Sequence, residues 1–139
     1  MKFYRLLCVL AALGTSVFVA GAQNQQQPLT PEQQEKQMME YIDKEVQRLS
    51  QLLELEYWQE FYVDSTLTHD YAALTEELAR MRQDKVENTD LYISVQDKWA
   101  QQIDDSYRRF FTEEQWNKYW KSGGRRAQEA RDKRNKKRN

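Results

Sequence analysis

Residues 110 to 120 read FFTEEQWNKYW, and FTEEQ within that stretch echoes LTPEQ at residues 29 to 33. In the later copy, Thr112 can stand just before a first helical turn. Its hydroxyl would accept from the Gln115 amide while the Gln115 side chain returns to the threonine's own N–H, the reciprocal pair of a capping box. Phe111 and Trp116 occupy the two positions of a hydrophobic staple, and Glu113 and Glu114 suit the positive end of the helix dipole. In the earlier copy Thr30 caps, Pro31 fills the position whose missing N–H costs nothing, and Gln33 closes the box. A third copy, Leu55-Glu56-Tyr57-Trp58-Gln59, keeps the glutamine but has glutamate where threonine would cap better. The echo therefore predicts helix beginnings.

Between Glu32 and Ser122 there is neither glycine nor proline, while Glu, Gln, Leu, Arg, Ala and Met are plentiful. Nothing punctuates this run as hairpin turns would, so the body is expected to be all helix. Met38, Met39, Ile42, Val46, Leu49 and Leu53 fall within about 100° of a helical wheel. After Asn88-Thr89-Asp90, a turn and cap, Tyr92, Val95, Trp99, Ile103, Tyr107 and Phe110 share about 120°. Leu67, Tyr71, Leu74, Leu78 and Met81 alternate spacings of four and three, the seam of a helix against a near-antiparallel neighbour. The spacing predicts helices near 31 to 50, 56 to 87, 89 to 110 and 113 to 122, with Gly123-Gly124 ending the last. Tyr57, Trp58, Phe61 and Tyr62 lie off the seam, about 80° to 220° from Leu67. Either VDSTLTH at 63 to 69 bends the helix or the helix carries two apolar faces.

The ends of the chain differ from its middle. MKFYR, the apolar LLCVLAALGTSVFVA and the small residues up to Ala22 predict a secretory signal peptide over 1 to 22, cut after Ala22. The apolar run is shorter than the roughly 20 residues of a bilayer span. Cleavage would remove Cys8, the only cysteine, leaving no disulfide and no thiolate ligand. Residues 23 to 30 then form a linker, 31 to 122 a single helical domain, and 123 to 139 a basic tail expected to be disordered. The periplasm of a bacterial envelope suits such a chain.

Charge is segregated. Between Glu32 and Glu114 there are 20 acidic and 9 basic residues, whereas Lys118 to Arg138 holds 10 basic and 2 acidic. A basic tail in a cytosolic protein would suggest nucleic acid. In an exported one it suits the acidic body itself, an acidic client, or peripheral contact with an anionic membrane surface.

Export signal, cysteine-free mature chain, all-helical body and the paired LTPEQ and FTEEQ together resemble the LTxxQ family of periplasmic helical proteins, the Spy/CpxP-like group. Residue-level matching covers Leu29, Thr30 and Gln33, then Leu55 and Gln59, then Thr112 and Gln115. Phe111 stands where the family has leucine and Glu56 where it has threonine. The resemblance implies a long antiparallel helical hairpin or small bundle, cradle-like and dimeric. It implies an ATP-independent chaperone or an envelope-stress protein, although the family's cradles are basic on the concave side and this body is acidic. Some relatives sense transition metals, which implies a metal-sensing or signalling adaptor as the alternative. A purely structural envelope role is also compatible.

Enzymatic chemistry has little to work with. His69 is the only histidine, with Ser65 one turn before it and Asp70 beside it, and glycine is confined to Gly14, Gly21, Gly123 and Gly124. No catalytic residue and no cofactor are expected. His69 with Asp70, or with Glu76 and Glu77, is a weak metal candidate. The mature chain carries 14 aromatics in 117 residues, more than a thin hairpin easily hides. Tyr57, Trp58, Phe61 and Tyr62, helped by the adaptable thioethers of Met38 and Met39, are therefore expected to meet unfolded clients, envelope proteins or a second subunit.

Overall fold

A computed structural model describes residues 30 to 138. The expected leader with Cys8, the cut after Ala22, and Leu29 of the first motif lie outside these residues. Among the described residues every regular element is helical. The helices are α1 Pro31–Leu53, α2 Tyr57–Gln83, α3 Thr89–Phe110, α4 Glu113–Tyr119 and α5 Arg125–Arg138, with a kinked turn at Trp120–Gly124 joining the last two.

The motif residues start the helices as their chemistry requires. The Thr30 N–H donates to Gln33 Oε1 at 2.9 Å and Gln33 N–H donates to Thr30 Oγ1 at 3.2 Å. Thr112 and Gln115 repeat the pair at 3.0 and 3.2 Å. At Glu56 the backbone N–H donates to Gln59 Oε1 at 3.0 Å, while the glutamate carboxylate accepts the Trp58 indole N–H at 2.7 Å. The glutamine half of the motif therefore operates there with glutamate in the cap position.

Two residues in left-handed conformation turn the chain. Glu54, at φ 53°, ends α1. Lys85, at φ 54°, follows α2, which stops at Gln83 rather than running to 87. Asn88 then caps α3 by accepting from the Asp90 N–H at 2.9 Å.

Successive long helices run antiparallel. Tyr41 meets Tyr71 edge-on at 5.5 Å and Ser50 donates to Glu60, which pairs α1 with α2. Lys98 and Trp99 reach Glu77, Gln102 reaches Asp70, and Gln59 reaches the Phe110 carbonyl, which pairs α2 with α3. Ile42, Leu49, Leu53, Val63, Leu67, Tyr107 and Phe111 form the buried core, with Met38, Val46, Leu52, Leu55, Tyr71, Ile103, Phe110, Trp116 and Tyr119 packed around it. A bundle this thin buries few side chains fully, and rings do much of the filling. Phe111 lies against Tyr107, Phe110 and Tyr119, and Trp116 against Tyr119 and Trp120. Tyr119 is thus the ring common to the two staple residues.

The bend, one of two alternatives at 63 to 69, is absent: α2 is continuous, and Val63 and Leu67 are both buried in it. Burial between two neighbours outweighs the few tenths of a kcal/mol per residue by which β-branched and small polar residues disfavour a helix.

Residues 125 to 138, expected as a disordered tail, form a helix instead. Gly123 at φ 150° turns the chain, a conformation open to glycine, and Gly124 lies so close to Tyr119 and Trp120 that a Cβ would sit 3.0 and 3.3 Å from their rings. The glycine pair therefore redirects the helix back along α3. There Arg131 bonds Asp104, and Arg134 grips Asp97 through two hydrogen bonds of 2.9 and 2.6 Å, with Arg138 3.5 Å from the same carboxylate. Composition suggested a solvated charge run, but ion pairing at helical spacing supplies the partners that order it.

Candidate functional site

The beginning of α2 presents its aromatics because the helix has different company on its two sides. Inward, Gln59 and Val63 are buried. Outward, Tyr57 is 87% exposed, Phe61 63%, Tyr62 52% and Trp58 46%. These four occupy two turns, and three of their rings meet: Trp58 to Tyr62 at 6.0 Å and Phe61 to Tyr62 at 5.9 Å, both edge-on. Tyr62 also meets Phe110 of α3 at 5.8 Å, which carries the aromatic surface across to the neighbouring helix. With α2 unbroken, the second of the two sequence alternatives holds: one helix, two apolar faces.

A shallow groove of about 280 Å³ adjoins the patch, lined by Asp43, Val46 and Gln47 of α1 and by Tyr57, Glu60, Phe61 and Asp64 of α2. An aromatic wall with a carboxylate rim can take an apolar segment while charges at the edge keep contacts hydrated and exchangeable.

Met38 and Met39 lie elsewhere. The pairings Tyr41–Tyr71 and Ser50–Glu60 place Met38 and Met39 beside the region of residue 73, some 11 to 16 residues past the aromatics and so about 17 to 24 Å along α2. Met39 is exposed, whereas Met38 packs against the core and lines a separate cleft of about 580 Å³ with Pro31, Gln34, Ala72, Leu78 and Arg82. The structure brings the four aromatics together and adds Phe110, and it leaves the methionines in a different place.

The patch is held from behind by the motif glutamines. Gln59 Nε2 donates to Gln115 Oε1 at 2.7 Å and Gln115 Nε2 donates to Gln59 Oε1 at 3.0 Å. The remaining amide protons go to the Phe110 carbonyl at 3.0 Å and the Leu53 carbonyl at 3.3 Å. Each carboxamide oxygen also accepts its own cap N–H, so two buried glutamines satisfy all their donors and acceptors. Leu55, in the same turn, packs against the core.

Charged side chains fix α2 and α5 against α3. Hydrogen bonds from Lys98 and Trp99 hold the Glu77 carboxyl below the usual carboxylate range. The Arg134 guanidinium does the same for Asp97. Burial pushes the Tyr107 hydroxyl well above the ordinary phenol range, so it stays neutral.

His69 lies open to solvent with Nδ1 2.8 Å from Asp70 Oδ1. Among the described residues no group of three or more His, Cys, Asp or Glu side chains is arranged to hold a metal, and no helix is long and apolar enough to cross a membrane. No family model, curated protein or solved structure matches the chain.

Proposed function

We propose that this chain is an exported, ATP-independent chaperone or envelope-stress protein that works in the periplasm by binding unfolded or partner proteins on the aromatic face of α2. The observation that supports this reading is the cluster of Tyr57, Trp58, Phe61 and Tyr62 standing exposed, with Trp58 and Phe61 both in ring contact with Tyr62, while a satisfied polar lock fills the inner side of the same turn. Aromatic rings supply large contact area at low entropic cost and are the residues most often found to anchor protein contacts. No nucleotide or cofactor is needed, because binding and release follow from weak apolar contacts ringed by charge. A second copy of the chain is the natural competitor for the same face, which makes a homodimer part of the proposal.

Light scattering of a reduced or heat-stressed model client, with and without the chain, tests this. Suppression of aggregation that falls severalfold in Trp58→Ala/Phe61→Ala, with helicity unchanged, is the expected result. If the double variant matches the wild type both in suppression and in self-association measured by sedimentation, the assignment of this face is wrong. His69 offers one nitrogen donor beside one carboxylate, and nothing else among the described residues favours the metal-sensing alternative.

A further inference from the structure

Docking of α5 on α3 sorts its basic residues by direction. Arg131, Arg134 and Arg138 lie within about 60° of the helix circumference and are the three that reach Asp104 and Asp97. Arg125, Lys133, Lys136 and Lys137 share an arc of about 120° centred far round the other side, and all four are exposed. Glu129 is the one acid in that arc, 3.8 Å from Arg125. Lys133, Lys136 and Lys137 form no ion pair among the described residues. Arginines, with their planar forks, take the buried carboxylates, while all three lysines of α5, compact and strongly hydrated, lie on the outer face together with Arg125 and Arg126.

We infer that the outer face of α5 is a docking surface for anionic phospholipid headgroups. The stripe runs from Arg125 to Lys137, about 18 Å at 1.5 Å per residue, and holds only charged residues. A protein partner would need apolar or aromatic anchors on that face, and there are none. The acidic body of the same chain is ruled out as the occupant, because α5 already spends its inner face there and the lysines point away from it. A two-dimensional array of phosphates matches a rigid row of ammonium groups without any apolar wedge, and each lysine near such a surface is worth about 1 kcal/mol, or about fivefold in partitioning. The surplus of acidic residues in the body does not cancel this: a helix is about 10 Å thick, and the Debye length is about 8 Å at physiological salt. The chain would sit with α5 on the membrane and the aromatic face of α2 free. This inference rests on the proposal that the protein is exported to an envelope compartment, and it is independent of what the aromatic face binds.

Co-sedimentation with lipid vesicles tests it, using the chain from Gln23 onward, which holds every helix described above. Binding to phosphatidylcholine vesicles containing phosphatidylglycerol, little binding to phosphatidylcholine alone, and release by added salt are expected. Lys133→Gln/Lys136→Gln/Lys137→Gln should weaken the binding about 100-fold while leaving helicity and client suppression intact. Equal binding to both kinds of vesicle, or unaltered binding by the triple variant, would overturn the inference. So would tighter binding to a short DNA duplex than to the anionic vesicles, since that would make the stripe a nucleic-acid surface.

Discussion

The side chains of Gln59 and Gln115, 56 positions apart in the sequence, exchange two hydrogen bonds in the buried joint between the start of α2 and the start of α4. Each also closes its own helix cap, so one pair of residues sets two helix beginnings and their mutual placement. The repeated motif is therefore more than a local signal: its two later copies find each other in space.

Removing either glutamine takes two hydrogen bonds from its buried partner and leaves a helix-end carbonyl and a cap N–H without theirs. Gln59→Ala and Gln115→Ala should each cost about 3 kcal/mol in urea unfolding, because every stranded buried group carries a desolvation penalty of about 1–3 kcal/mol. The double variant should fall short of the sum by about 1–3 kcal/mol. Strict additivity would mean the two side chains do not interact in solution. Thr112→Ala, which removes only a cap, should cost about 1 kcal/mol.

Arg131 is 5% exposed and bonds Asp104, itself 5% exposed and also bonded by the Tyr119 hydroxyl. Arg131→Ala strands a buried carboxylate, which typically costs 3–5 kcal/mol. Hydrogen exchange should show α5 losing protection in this variant before α1 to α3 do. Uniform loss along the chain would show that α5 is not a separately docked unit.

Docking of α5 should also respond to acid. The Asp97 carboxyl is held below its ordinary value by Arg134, so its contribution is fully present above the unfolded value of about 4 and is lost as pH falls through the lower folded value. The expected signature is a loss of protection in α5 below about pH 4, well away from neutrality. Arg134→Gln should weaken docking at neutral pH and shrink that acid-dependent step, with Arg138 holding what remains. A step unchanged in Arg134→Gln would assign it to another group.

Gly123→Ala asks an L side chain to adopt φ 150°, and should cost about 1–3 kcal/mol although nothing lies within 4 Å of the new methyl group. Gly124→Ala should be costly for the opposite reason, crowding against Tyr119 and Trp120. Thermal unfolding of the two variants measures both, and a stable Gly123→Ala protein would contradict the kinked geometry.

Helix starts at Pro31, Tyr57 and Glu113, the stripes of α1 and α3 and the displacement of the aromatic cluster from the α2 seam were all legible from spacing and capping chemistry, whereas its exposure was not decided by them. Their causes are local, and local causes are written in adjacent residues. Besides the exact end of α2, two features were not legible, for different reasons. The position of Met38 and Met39 relative to Tyr57 depends on where α1 turns into α2, and an antiparallel partner converts nearness in sequence into distance along the axis. The order of α5 depends on aspartates in another helix. A usable signal existed: Asp97 and Asp104 stand seven apart, and Arg131, Arg134 and Arg138 stand three and four apart, so opposite charges recur at helical period in two segments. Reading the tail by its overall composition concealed that periodicity.

The long reach of the Gln59–Gln115 joint has a kinetic meaning. The α1–α2 and α2–α3 hairpins close over short loops and can form early, on the timescale of contacts between near neighbours in sequence. The glutamine joint must wait until α3 has returned and α4 has begun, so truncating it should accelerate unfolding far more than it slows refolding. In stopped-flow experiments the two carboxamides would behave as a late latch, fastened after the scaffold is already in place.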